Sequence, residues 1–163
     1  MPRHVALTVL LATGLLGCAG ALAATHPHSQ AAPPAASPTA LHLQVENAWI
    51  PLPPPGAQVA AAYFTLHNTG REPAVLVGVD CPLAAHAMLH ESSVVNGESR
   101  MRMVDRLTVP PGRSVILKPR GLHVMLDDLS RALQVGQQVP LVLHFAAGTE
   151  VRAIARVRPL GSQ

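Results

Sequence analysis

The sequence predicts an all-β domain built as a sandwich or barrel. Many short apolar runs carry a two-residue alternation, turn-forming clusters separate them at regular spacing, and no stretch in the body of the chain has an apolar periodicity long enough for a stable helix.

The runs follow in order. Leu41, Leu43 and Val45 alternate with His42, Gln44 and Glu46, the period of a half-buried strand. Further runs lie at Ala60 to Leu66, Ala74 to Val79, Ala87 to Leu89, Val115 to Leu117, His123 to Leu126, Val139 to Phe145 and Val151 to Val157. Between them stand Pro53-Pro54-Pro55-Gly56, Asn68-Thr69-Gly70, Asp80-Cys81-Pro82, Asn96-Gly97, Pro110-Pro111-Gly112, Pro119-Arg120-Gly121 and Ala147-Gly148. Asp127 to Leu133 is expected to make at most a helical turn.

The first 23 residues read as a signal peptide. Arg3 and His4 precede an uncharged apolar run from Val5 to Gly17, too short to span a bilayer as a mature helix. Leu15-Leu16-Gly17-Cys18 resembles a lipobox, and Ala21-Leu22-Ala23 is an A-x-A cleavage site; the first would lipidate Cys18 and tether the domain, the second would free it. Residues 24–40, rich in Ala, Pro and Ser, read as a flexible linker. Residues 41–160 then form one small domain with a single core. The expected location is the periplasm, with a lipid anchor at Cys18 as the one link to a membrane.

Composition narrows the partners. The formal net charge of +3 includes Arg3, the basic residues are scattered, and only 2% of the chain is aromatic. Neither a phosphate-tracking stripe nor a base-stacking platform results, so no nucleic acid is expected. Of two cysteines, Cys18 belongs to the leader, which leaves Cys81 without an intramolecular disulfide partner.

The chemistry lies in the methionines. Apart from the initiator, all of them (Met88, Met101, Met103 and Met125) are interleaved with His86, His90 and His123, whereas the rest of the domain builds its apolar runs from Val, Leu and Ala. Gap-filling in a core accounts for one or two methionines, not for the group. A thioether is soft and neutral, and with imidazole it selects Cu(I), while zinc prefers thiolate, imidazole and carboxylate. It also cannot form a disulfide outside the cytoplasm. His123 and Met125 stand two apart and share a strand face. His90 is expected to end one strand and Met101 to begin the next, with Asn96-Gly97 turning the chain between them. That arrangement would gather the donors at one end of a sandwich.

The spacing His90, ten residues, Met101, twenty-one residues, His123, one residue, Met125 is the H-x10-M-x21-H-x-M signature of the PCuAC family of periplasmic copper chaperones. The surroundings resemble that family as well: Ala48-Trp49, Pro54-Pro55-Gly56, Ala61-Ala62-Tyr63, Leu89-His90-Glu91, Val109-Pro110-Pro111-Gly112 and Gly121-Leu122-His123-Val124-Met125. The resemblance covers nearly all of the domain; Met103 stands where the family commonly has Pro. It implies a cupredoxin-like Greek-key β-sandwich, monomeric and not an enzyme, that holds one Cu(I) on His90, Met101, His123 and Met125. It further implies supply of copper to the CuA centre of cytochrome c oxidase subunit II, alongside a Sco-type copper protein. Copper sequestration is the alternative within the same chemistry.

Other residues carry blander expectations. Met88 shares strand parity with His90 but is expected in the core, Met103 is left outside the site, and His42, His67 and His144 are expected to be solvated. His86 lies near the site but belongs to no motif. His26, third from a terminus created after Ala23, suits square-planar Cu(II) chelation if the chain is cut there. A blue-copper centre on Cys81, His86 and Met88 would sit on a loop far from the C-terminal position usual for such centres. Hydrolysis by Ser92 or Ser93 with His90 lacks an elbow motif and puts adjacent side chains on opposite faces.

Overall fold

A computed structural model describes residues 42–146 and 148–161. The leader, Cys18, the linker with His26 and His28, and Leu41 all lie outside the described residues.

Ten strands make up the described chain: β1 (Leu43–Pro51), β2 (Ala60–Asn68), β3 (Ala74–Asp80), β4 (Ala84–Val95), β5 (Glu98–Met103), β6 (Leu107–Val109), β7 (Ser114–Leu117), β8 (Leu122–Leu129), β9 (Gln138–Phe145) and β10 (Glu150–Arg158). They form one mixed sheet in the order β5-β4-β8-β2-β1-β10-β9-β3-β6. β1 and β10 run parallel, and the other pairs run antiparallel. β2 divides its partners, pairing β8 through Ala60–Ala62 and β7 through Phe64–His67. The sheet folds over until β3 lies near β4, and the enclosed face is the core.

That core follows from alternation. Ala60, Ala62, Phe64, Leu66 and Asn68 of β2 are buried in turn, as are Val139, Leu141, Leu143 and Phe145 of β9 and Ala153, Ala155 and Val157 of β10. The polar exception, Asn68, closes the Asn68-Thr69-Gly70 turn. Its amide donates to the carbonyls of Glu72 (2.7 Å) and Val109 (3.0 Å), and its Oδ1 accepts from the Gly70 N–H (3.0 Å). A buried amide with all three bonds made ties the end of β2 to β6.

Three local expectations change. Asp127 to Leu133 makes no helical turn: β8 continues to Leu129, held by the pairing of Ala84 with Leu129, and the chain then bends. β4 does not end at His90 but runs on to Val95, because β5 supplies partners for His90 through Val95. His67 and His144 are not simply solvated. His67 Nδ1 lies 2.6 Å from Ser114 Oγ with Nε2 3.2 Å from Glu46, and His144 bridges Asp80 (2.7 Å) and Glu150 (3.4 Å) across β3, β9 and β10.

Candidate metal site

β8 sets the arrangement. Val124 and Leu126 are fully buried against the core, so His123 and Met125 project from the opposite face of the strand. β4 lies beside β8 in register: Leu89 pairs with Val124 and Ala87 with Leu126 on the inner side, while His90 pairs with His123 and Met88 with Met125 on the outer side. β5 extends the outer face, with Met103 opposite His90 and Met101 opposite Ser92. The four sequence-predicted donors therefore share the outward face of β5-β4-β8. Continuous three-strand pairing keeps them on the pleated surface.

The turn between β4 and β5 carries Met101 back toward His90. Val95 pairs with Glu98, leaving Asn96 and Gly97 as a two-residue loop with φ of 54° and 84°, the primed turn that Asn-Gly favours. His90 Nδ1 comes within 3.2 Å of Met101 Sδ. Two donors bound to one ion at about 2.0–2.3 Å with tetrahedral angles would stand about 3.5 Å apart, so this spacing is close to that needed for a shared ion.

His123 is held more firmly. Its Nδ1–H donates to the Gly121 carbonyl at 3.0 Å, which fixes the tautomer and leaves Nε2 with its lone pair for a ligand. The carbonyl is presented by the tight β7–β8 turn, closed by Gly121 N–H to Lys118 O (3.1 Å) and Lys118 N–H to Leu122 O (2.8 Å), with Arg120 left-handed at φ 61°. The His123 and His90 rings meet edge to face at 5.9 Å between centroids.

Exposure differs sharply between donors: His123 is 5% exposed and Met101 56%. His90 is half-buried, and partial burial, followed by the neighbouring His123, pulls its pKa below the usual histidine value. Both effects favour neutral imidazole, the form that binds a metal.

Trp49 and Tyr63 wall the site, a role that the sequence did not reveal. Tyr63 stands 6.3 Å from His123 and 4.9 Å from Trp49 between ring centroids, and the Arg158 guanidinium lies 5.6 Å from the centre of the Trp49 ring. Burial pushes the Tyr63 hydroxyl pKa up. A second wall is aliphatic: Pro51, Pro54, Val59 and Leu160 share a hollow with Met101, His123 and Met125. The strand parity of Tyr63 with Ala61, which pairs with Met125, was the available signal.

Of the residues left out of the site, Met88 is the correction. It is half-buried on the outer face opposite Met125, not in the core. Cys81 is buried in the core without a disulfide partner among the described residues, while His86 is exposed and Met88 faces outward. The blue-copper trio is not assembled, because Cys81 packs inside while the alternation of β4 turns the other two outward.

The family model described as "Putative lipoprotein LpqE-like" matches residues 43–157. A curated relative, "Putative lipoprotein Lxx21020" of Leifsonia xyli subsp. xyli, is 31% identical over 137 residues, 83% of this chain and 77% of the relative. The chain belongs to the LpqE-like family, of PCuAC type. Among solved PCuAC-type structures, the solution structure of the Cu(I) form of DR1885 from Deinococcus radiodurans is 34% identical with a TM-score of 0.57, covering 72% of this chain and 77% of that one. Apo-DR1885 is 35% identical with a TM-score of 0.58, covering 87% and 97%. The copper-bound PCuAC domain from PmoF2 is 26% identical with a TM-score of 0.60, covering 72% and 92%. With these likenesses the PCuAC fold of this chain is an all-β, cupredoxin-like sandwich.

Proposed function

We propose that this chain is a copper chaperone that carries one Cu(I) on His90, Met101, His123 and Met125. The observation that carries the proposal is the convergence of two thioethers and two imidazoles on one outward sheet face, with His90 Nδ1 3.2 Å from Met101 Sδ. Two soft sulfur donors with two imidazoles favour Cu(I) over hard oxygen-seeking ions and over zinc. The copper-bound PCuAC domain from PmoF2 and the Cu(I) form of DR1885 support the same cargo.

The division of labour suits delivery. His123, buried and fixed in tautomer, anchors the ion, while exposed Met101 is free to give way to an acceptor's donor. Each thioether contact is weak enough to be exchanged singly, so copper passes to the acceptor without unfolding the carrier. The ion is cargo and is released unchanged; no reaction of a substrate is assigned to the chain.

The setting belongs to the same reading. The leader exports the chain and, cut at the lipobox, leaves Cys18 as the anchored end from which the linker 24–40 tethers the domain 41–160 in the periplasm; the lipoprotein names of the family and its relative support this anchor. The acceptor is the CuA centre of cytochrome c oxidase subunit II, reached directly or through a Sco-type protein. A competition titration with a chromophoric Cu(I) chelator tests the cargo, and transfer to an isolated CuA domain tests the acceptor. One tight equivalent of Cu(I) supports the reading; no competition with the chelator would end it.

A further inference from the structure

Two methionines remain beside the site. Met88 pairs with Met125, and Met103 pairs with His90, so both border the proposed donors on the same outward face. In the β4–β5 register His90 stands opposite Met103 and Ser92 opposite Met101. His90 and Met101 are therefore diagonal neighbours, and the two-residue period places Met88 and Met103 on the same diagonal, one step along the strands. The first diagonal brings its donor atoms to 3.2 Å.

Packing does not account for the pair. Met103 is 60% exposed and contributes little to the core. Met88 is half-buried, and it lines with Met103 a cavity of about 180 Å³ whose floor is Leu76, Val79 and Leu89. Both methionines border this recess, with Asp105 the one charged residue along it. Two thioethers suit a soft monovalent ion better than a hard one.

We propose that Met88 and Met103 form a second soft-metal position, through which Cu(I) enters or leaves the first. The inference rests on the copper-carrier reading above. In the transfer a Cu–S bond to Met103 forms as the Cu–S bond to Met101 breaks, and the oxidation state does not change. Thioether exchange along one sheet face would let the ion move without being released to water.

The test is a titration of the intact protein, carrying ¹³C-methyl methionine, with Ag(I) as a redox-inert stand-in. Single Met→Leu variants assign the signals. Expected is a first phase moving the Met101 and Met125 methyls and a second moving Met88 and Met103, with two equivalents bound. Movement of Met101 and Met125 alone through the second equivalent overturns this inference and leaves the carrier reading standing. If no methyl moves, both fail. The volume-conserving double variant Met88→Leu, Met103→Leu keeps the fold and is expected to bind one equivalent; a second equivalent retained in that variant also overturns the proposal.

Discussion

His90 Nδ1 lies 3.2 Å from Met101 Sδ although ten residues and a hairpin turn separate them. The contact depends on the β4–β5 register, which places Met101 one diagonal step from His90, and on a turn that only a few residue pairs can make.

Met101→Leu separates binding from stability. The side chain is mostly exposed and Leu conserves its volume, so stability should change by less than about 0.5 kcal/mol. Loss of a ligand should cost at least as much as loss of a ligand's hydrogen-bonded support, about 10–100-fold in metal affinity. Chelator competition together with a urea melt checks both.

His123→Ala should damage both properties. It removes the anchor ligand and one of the two hydrogen bonds on the half-buried Gly121 carbonyl, which still accepts from the Ser92 N–H at 3.0 Å, at about 0.5–1.5 kcal/mol. Copper binding by competition should be lost, and the urea midpoint should fall. An unchanged midpoint would show that the Gly121 bond does not hold the ring.

Gly97→Ala tests the turn. At φ 84° a Cβ is strained although nothing crowds it, and the left-handed conformation costs about 1–2 kcal/mol. The β4–β5 hairpin should loosen, and Cu(I) affinity should fall through Met101 although no ligand has been altered. Amide exchange on β5 and a competition titration read the two effects.

Cys81 should be chemically silent. Burial raises its thiol pKa, outweighing hydrogen bonds from the Leu83 and Ala84 backbone that act the other way. At neutral pH less thiolate is present than in a free cysteine, so alkylation of the native protein should be slow and become fast in denaturant. Cys81→Ala should keep its copper. An intense blue colour lost with that substitution would instead mean a thiolate–copper centre.

Much of this fold is legible in the sequence because burial on one face writes an alternation into β1, β2, β9 and β10. Of β5 only the Asn96-Gly97 turn and a strand at Met101 were expected, not its start at Glu98. Glu98 to Met103 is exposed at every position, so no buried face imposes a pattern on this edge strand. Met88 was misplaced because β4 reads equally well either way: Ala87 and Leu89 alternate with Met88 and His90, and only pairing with Val124 and Leu126 decides which set lies inside. The four donors were named by their spacing, whereas the wall of Trp49 and Tyr63 arises from β1–β2 pairing, of which the chain offers only the strand parity of Tyr63 with Ala61.

X-ray absorption at the copper edge, on protein loaded with one equivalent of Cu(I), tests the central claim most directly. The expected shell holds two sulfur and two nitrogen scatterers, and it should lose one sulfur in Met101→Leu. A shell of nitrogen and oxygen alone, or a sulfur that vanishes with Cys81→Ala, would contradict it.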